Sequence, residues 1–372
     1  MKNSILYIAF FLPILLLSQT HPDQKKVLMV VSSYGKDLGA TRPGFEFDEF
    51  SQAYQIFKQN GLHIDVSSPK GGKVEADKFN KEKAYNMAAL EDQKILEVLE
   101  NTTATSQVDP TRYDAIYVVG GKGAMFDLPY DPSLQDIILD LYRRDSTVIS
   151  SVCHGPAAFV NVKDGDHYII KGIEVTGFCN IEEELFGKKW VAEFPFKLED
   201  KLKSRGAVFS QADFMLSHVA VSGKFITGQN PFSTTRSAEE VVKALGIKPT
   251  ERSLYKDEKS IYLIQDFLDE TKSIAWAEQE LAENTEAYDI PLIAMWGYYK
   301  ILASKEDQKA LLKGVEIVEL TSPHFYNENL QLLLAKTHLL LKNREKARQI
   351  ANELISKEQL KKEAENLLKE ID

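Results

Sequence analysis

Strand-length runs of apolar residues alternate with amphipathic helical segments through the first two thirds of the chain. The strand-like runs cover residues 27–32, 63–68, 113–119 and 148–152. Helical periodicity marks residues 49–60, 86–101 and 134–144. Several strand-like runs are continuously apolar, which is typical of parallel strands buried on both faces. The pattern from Lys25 to about Lys248 therefore predicts an α/β domain, a parallel sheet with helices on both faces.

The pattern changes after Lys248, where glycine nearly disappears and helix formers dominate. One long helix is predicted over residues 257–281. Two helical hairpins follow, with helices over residues 292–303, 308–320, 328–341 and 344–356. This all-α region, 250–372, loosely resembles tetratricopeptide repeats. Two hairpins are few for an independent solenoid, so we expect them to pack on the α/β domain, on each other or on a second subunit as a homodimer. A groove for a protein partner is the alternative.

The first nineteen residues carry Lys2, a long apolar run and then polar residues. This order predicts a cleavable signal peptide over 1–19 and a secreted or periplasmic protein. The run is short for a membrane span. We expect no membrane insertion after cleavage, with an uncleaved anchor as the alternative.

Composition narrows the functions further. The 372 residues are 44% hydrophobic, enough for two domains, and the formal net charge of −10 argues against a nucleic-acid partner. Neither a phosphate-binding glycine motif nor H-E-x-x-H or C-x-x-C occurs, so we predict neither cofactor nor metal site. The histidines outside the candidate site are scattered: His21, His63, His167, His218, His324 and His338.

Cys153 lies between the last apolar run and a stretch of small residues, and His154 follows it. Where a strand turns sharply into a helix, a thiol is exposed at the sheet edge, and the helix N-terminus favours its thiolate. Cys153 is therefore a candidate nucleophile; a buried, inert cysteine is the alternative. The other cysteine is Cys179. We expect two free thiols, although a disulfide, or Cys179 as a resolving thiol, is compatible with the sequence.

A glycine-rich turn, Gly120 to Gly123, follows the strand-like run 113–119. Working sites of parallel sheets lie at the carboxyl ends of the strands. Glycines allow close approach of backbone amides, so Gly121 and Gly123, with the amide of His154, are candidates for an oxyanion hole. A simple strand-to-helix connection is the alternative.

Two segments carry a resemblance to a known family. Residues 113–129 resemble the second glycine motif of the DJ-1/PfpI superfamily, and residues 152–158 resemble its nucleophile elbow in the Hsp31-like branch. Segments 175–178 and 226–231 also match that branch. The resemblance covers roughly residues 25–248 and implies a flavodoxin-like domain, related in fold to class I glutamine amidotransferases.

The resemblance also implies partners for Cys153. Glu49, or Glu46 as the fallback, matches the family glutamate beside the cysteine, which can hold a proton if burial raises its pKa. A third, acidic residue orients the histidine through its far nitrogen. Spacing points to Glu183, with Glu182 as the rival.

The resemblance implies a glyoxalase that needs no glutathione. A 2-oxoaldehyde such as methylglyoxal would add to Cys153 and leave as a 2-hydroxy acid. Hydrolysis of glycated side chains, amides or peptides would use the same nucleophile and stays open. A stress-related holding chaperone and a redox sensor are the alternatives. A glutamine amidotransferase is disfavoured, because His154 abuts the cysteine and no synthetase domain follows.

Overall fold

The computed structural model describes residues 24–304 and 307–371, with only the backbone at Lys188. The predicted signal peptide, 1–19, lies outside these residues, so export stays a prediction. Within the described ranges, no helix has the length and apolarity needed to cross a membrane. The chain forms an α/β domain followed by an all-helical region, as the hydrophobic pattern predicts.

A seven-stranded sheet forms the centre of the α/β domain, in the order β10-β11-β5-β4-β1-β2-β3. Its strands are parallel except for β10, which runs antiparallel to β11 at one edge. These strands are β1 (Lys26–Val30), β2 (His63–Ser68), β3 (Thr103–Ala104), β4 (Ala115–Val118), β5 (Val148–Val152), β10 (Val219–Ser222) and β11 (Phe225–Gly228). Two small ladders pair β6 (Lys163–Asp164) with β7 (His167–Tyr168) and β8 (Glu174–Val175) with β9 (Val208–Phe209).

Helices cover both faces of the sheet, and the strand residues divide between two cores. Val27 and Met29 of β1 join the core beneath α1 and α7, whereas Leu28 and Val30 join the core beneath α4. This alternation is the period of two that a strand imposes on its side chains. The helices of the domain are α1 (Phe47–Gln59), α2 (Ala84–Glu91), α3 (Gln93–Glu100), α4 (Pro132–Arg143), α5 (Asn180–Phe186), α6 (Leu198–Ser204) and α7 (Thr234–Ala244).

Local sequence explains where α4 begins and which face it buries. Asp131 caps the helix by accepting a hydrogen bond from the Ser133 amide, and Pro132 occupies the first turn, where it needs no hydrogen-bond donor. Four apolar side chains, spaced three or four residues apart, form the buried stripe: Leu134, Ile137, Ile138 and Leu141. The helix therefore packs one face on the sheet and exposes the other.

Over its described residues, the C-terminal region contains seven α-helices: α8 (Lys256–Leu268), α9 (Ile274–Asn284), α10 (Ile290–Ala303), α11 (Gln308–Thr321), α12 (Glu328–Leu340), α13 (Arg344–Ser356) and α14 (Lys361–Ile371). The four predicted hairpin helices are present as α10–α13. The prediction of a single helix over residues 257–281 is wrong. The chain turns between α8 and α9, where Glu270 has a positive φ of 57°. The predicted helix over 86–101 is likewise two helices, divided at Asp92, whose side chain caps α3.

The helical region packs on the α/β domain rather than standing apart from it. Phe214 and Leu216 of the α/β domain belong to the same buried cluster as Ile264, Trp296 and Ile317 of the helical region. The tetratricopeptide-like label, a homodimer and a protein partner stay predictions.

Candidate active site

The chain makes a strained elbow at Cys153, where β5 ends. Cys153 has a positive φ of 58°, a conformation that costs a non-glycine residue about 1–2 kcal/mol. Two backbone hydrogen bonds hold the elbow: the Cys153 amide donates to Gly228 O at 2.9 Å, and the Phe178 amide donates to Cys153 O at 2.9 Å. The thiol is almost fully enclosed, with 4% of the residue exposed. Geometry thus fixes the sulfur at the carboxyl end of the sheet.

His154 links this thiol to Glu183. Its Nδ1 lies 3.4 Å from Cys153 Sγ, and its Nε2 lies 2.8 Å from Glu183 Oε1. Both His154 and Glu183 are buried. When Nε2 carries the ring proton and donates it to Glu183, Nδ1 is left free to accept from the thiol. The three residues can therefore relay a proton away from sulfur.

Glu182, the rival for this position, has a different set of partners. Its two oxygens accept hydrogen bonds from five donors: the amide and thiol of Cys179, the Met215 amide, and the side-chain amides of Gln229 and Asn230. Burial raises its pKa, and these hydrogen bonds oppose the increase. Glu183 is therefore the carboxylate that contacts His154, whereas Glu182 accepts hydrogen bonds from the five donors named above.

Glu49 approaches the thiol from the first turn of α1. Its Oε2 accepts a hydrogen bond of 2.7 Å from the Gly120 amide. The Glu49 carboxyl group interacts with the Cys153 thiol, and its other oxygen, Oε1, is buried without a hydrogen bond of standard geometry to the described residues. Glu46, the fallback, precedes α1 and donates its backbone amide to Gly120 O at 3.2 Å. Glu49 is therefore the carboxyl group that meets the sulfur.

Burial has the largest effect on the pKa values of Glu49 and Cys153. It raises the pKa of Glu49 well above the usual range, and the charge of Glu46 adds to the increase. Burial, followed by the Glu49 carboxylate, also raises the pKa of Cys153. The pair consequently keeps at least one proton at neutral pH, because two adjacent buried negative charges repel each other.

The sequence-based prediction of a thiolate stabilised by a helix N-terminus is therefore wrong. The elbow leads into a five-residue 3₁₀ turn, Gly155–Phe159, rather than a full α-helix. Such a short turn sums few peptide dipoles. His154 and Glu49 lie within reach of the thiol, and transfer of its proton to either group would give the thiolate.

The glycine turn brings the loops together, as its composition predicts. A Cβ at Gly120 would lie 2.7 Å from His154 N, and Gly121, at φ 90°, packs against the backbone of Phe45 and Glu46. The Gly123 amide donates to Gly44 O at 2.9 Å, so this amide is engaged and its predicted oxyanion role is wrong. The amides of Gly121 and His154 donate to no other described residue and stay candidates for that role.

Sequence reasoning missed an aromatic cluster beside His154. Phe178 and Phe194 pack on the imidazole, at ring-centroid distances of 4.7 and 5.7 Å. Phe126 contacts Phe194 edge-on and stacks on Tyr34, with centroids 4.6 Å apart. These residues stand in separate loops, and no local pattern marks them as neighbours. Their rings shield the imidazole from water.

Both cysteines are free thiols. Cys179 lies at the start of α5, where its Sγ donates to Glu182 at 3.2 Å. Among the described residues, no group of three or more His, Cys, Asp or Glu side chains is arranged to hold a metal ion.

Comparisons with known proteins agree with this architecture. The model of the DJ-1/PfpI family matches residues 25–244. Glyoxalase 3 of Candida albicans is 29% identical over 59% of this chain and 98% of its own. The match of the family model ends before the helical region.

Two solved structures are also similar. The Rapid Encystment Protein 24 KDa of Francisella tularensis is 36% identical with a TM-score of 0.56, over 60% of this chain and 99% of its own. Glyoxalase III of Candida albicans is 26% identical with a TM-score of 0.54, over 59% of this chain and 97% of its own.

Proposed function

Because this chain belongs to the DJ-1/PfpI family, we propose that it is a glutathione-independent glyoxalase with Cys153 as nucleophile. Its relatives include proteins named as glyoxalases of that type in Schizosaccharomyces pombe and Saccharomyces cerevisiae. The substrate would be a 2-oxoaldehyde such as methylglyoxal, and the product the corresponding 2-hydroxy acid.

One observation carries the proposal. The sulfur of Cys153 has two proton acceptors beside it, Nδ1 of His154 and the carboxyl group of Glu49, whose Oε1 makes no hydrogen bond of standard geometry to the described residues. A reaction that takes a proton from sulfur and moves another between adjacent carbons requires such groups within reach. The burial of all three residues keeps bulk water from the exchange.

The first step joins substrate and enzyme. Cys153 Sγ attacks the aldehyde carbon, the carbonyl double bond opens, and the thiol proton passes through Glu49 or His154 to the aldehyde oxygen. The product is a hemithioacetal. The free amides of Gly121 and His154 are the donors that would stabilise negative charge on that oxygen.

The second stage moves hydrogen within the substrate. Glu49 or His154 removes the proton from the former aldehyde carbon, giving an enediol, and a proton is returned to the neighbouring carbon. The resulting thioester is hydrolysed by one water molecule, which releases the 2-hydroxy acid and restores the thiol. The net reaction adds water and needs no external oxidant or reductant.

The test is lactate formation from methylglyoxal by the purified chain without glutathione. We expect Cys153→Ala to lose turnover by about a thousandfold or more. Cys179→Ser is the matched control, because it removes the other buried thiol while keeping a donor for Glu182, and it should retain measurable turnover. Equal activity of wild type and Cys153→Ala would refute the proposal.

A second measurement separates isomerisation from simple hydrolysis. In deuterium oxide, the enediol route places deuterium on C2 of lactate when the carried proton exchanges with solvent. Release of amines from glycated peptides, without lactate from methylglyoxal, would assign the same nucleophile to a hydrolase instead.

A further inference from the structure

The helical region contacts a short part of the α/β domain, residues 212–217, which we name the bridge segment. Trp296 donates its indole N–H to Phe214 O at 2.9 Å and stacks on the Phe214 ring, with centroids 5.2 Å apart. Lys300 forms an ion pair with Asp213. The backbone of the bridge segment is therefore held from the side of α10.

The other side of the bridge segment holds the Glu182 carboxylate. The Met215 amide donates to Glu182 Oε1 at 2.7 Å, and Met215 adopts a positive φ of 53°. Asn230 donates its side-chain amide both to Glu182 Oε1 and to Leu216 O, each at 2.8 Å. An unfavourable backbone conformation persists only when its surroundings enforce it. Here those surroundings include Trp296 and the Glu182 carboxylate.

Glu182 in turn fixes the first turn of α5. Its Oε2 accepts from the Cys179 amide at 3.0 Å, and the next residue, Glu183, contacts His154. Phe186, at the end of the same helix, packs edge-on against Tyr299 of α10 at 4.7 Å. Both ends of α5 are thus tied, directly or through the bridge segment, to the helical region.

We infer that the helical region is a positioning part of the active site: Trp296 and Lys300 hold the bridge segment, which fixes Glu182 and so aims Glu183 at His154. Trp296 is a positioning residue, since it acts through other residues on the proton relay. A displacement of Glu183 by a fraction of an ångström would lengthen its bond to Nε2 and make the imidazole a weaker base. The inference deepens the proposed function and rests on it for the turnover measurement.

Trp296→Phe tests the coupling, because it keeps an aromatic ring on Phe214 and removes the donor to Phe214 O. Trp276→Phe is the matched control; this tryptophan lies in α9, and its indole nitrogen makes no hydrogen bond to the described residues. We expect kcat for lactate formation to fall about fivefold in Trp296→Phe, with KM nearly constant. The control should match wild type.

A second readout does not depend on the glyoxalase reaction. The rate of Cys153 alkylation by iodoacetamide is followed against pH, with the labelled cysteine identified by mass spectrometry. In Trp296→Phe we expect slower labelling at neutral pH and a profile displaced to higher pH, because a weaker His154 base takes the thiol proton less readily. This profile decides the inference even if wild type forms no lactate, an outcome that would refute only the proposed function.

Lys300→Met, compared with Lys313→Met in α11, repeats the test without altering an aromatic residue. Lys313 pairs with Glu316 within its own helix. Unfolding midpoints are measured for all four variants, so that a folding defect is recognised. If Trp296→Phe and Lys300→Met unfold earlier but keep the wild-type alkylation profile and kcat, these contacts are structural only and the inference is overturned.

Discussion

Two buried thiols of the α/β domain each lie beside a glutamate, and the two glutamates differ in how many hydrogen bonds they accept. At Cys179, the oxygens of Glu182 accept hydrogen bonds from five donors. At Cys153, the Gly120 amide binds one oxygen of Glu49, and the other has no partner of standard geometry among the described residues. A carboxylate with all its lone pairs engaged holds the chain together. One with a free oxygen beside sulfur can exchange a proton.

The backbone conformations of the two cysteines also differ. Cys179 has an extended conformation at φ −88°, whereas Cys153 is held at φ 58°. An unpaired buried oxygen costs about 1–3 kcal/mol, and the positive φ adds about 1–2 kcal/mol. A positive φ at Cys153 and an unpaired oxygen at Glu49 occur where chemistry is proposed, whereas neither Cys179 nor Glu182 shows the corresponding feature.

Glu49→Gln should produce the largest change. The carboxamide keeps the shape of the side chain but cannot pass a proton, so we expect kcat to fall about 10²- to 10⁴-fold. The fold should persist, because a carboxyl group whose pKa is raised by burial destabilises the protein at neutral pH. Lactate formation and the unfolding midpoint measure the two effects. Glu91→Gln on the exposed surface is the control, and equal turnover of the two variants would contradict the contrast between the thiols.

Glu182→Gln should lower stability and, because Glu182 positions Glu183, also lower turnover. The amide nitrogen that replaces one oxygen would face donors and leave buried hydrogen bonds unmade, so the free energy of unfolding should fall by about 1–3 kcal/mol. Urea unfolding measures it. Glu184→Gln, at an exposed position of the same helix, should leave stability close to wild type. If the Glu182 variant is as stable as this control, the hydrogen bonds of Glu182 do not stabilise the fold.

Alkylation of the wild-type protein should distinguish the thiols directly. At neutral pH we expect Cys153 to react about tenfold faster than Cys179, because only the Cys153 proton has unengaged acceptors nearby. Site-resolved mass spectrometry gives both rates from one sample. The difference should narrow in Glu49→Gln. Faster labelling of Cys179 would show that Cys179, rather than Cys153, is the reactive thiol.

The last effect depends on pH and concerns Glu46, whose pKa burial and the charge of Asp48 raise from 4.5 to about 7. Between these pH values the folded protein holds a proton that the unfolded chain releases, so stability is lost as pH rises from 4.5 through about 7. Glu46→Gln should remove this loss, which amounts to a few degrees in the unfolding midpoint. Thermal unfolding across this range checks it. Parallel curves for the variant and for Glu91→Gln would show that Glu46 is not perturbed.

The sequence predicts β1 and β4 well, because these strands are buried on both faces and are almost continuously apolar. It fails where tertiary packing decides, as at the break between α8 and α9. Residues 269–273 contain neither glycine nor proline, and the local signal there is Ser273, whose side chain caps α9 by accepting from the Trp276 amide.

The candidate site divides in the same way. Cys153 and His154 are predicted from a local motif, and Glu49 from the family resemblance. The choice between Glu183 and Glu182 depends on which face of α5 meets His154 and which meets the bridge segment, a contact made more than thirty residues away. The raised pKa of Cys153, which burial and then Glu49 cause, and the engagement of the Gly123 amide by Gly44 depend on residues still further away in the sequence.

The elbow also has a consequence for biosynthesis. Its backbone is fastened to Gly228, 75 residues further along, and the Glu182 network closes only at Asn230. A ribosome delivers the N-terminal part first, so a nascent chain that ends before this point carries Cys153 as an ordinary thiol. The elbow and the contacts that hold it are completed only after Gly228 and Asn230 have been made, so the arrangement proposed for catalysis forms late in synthesis.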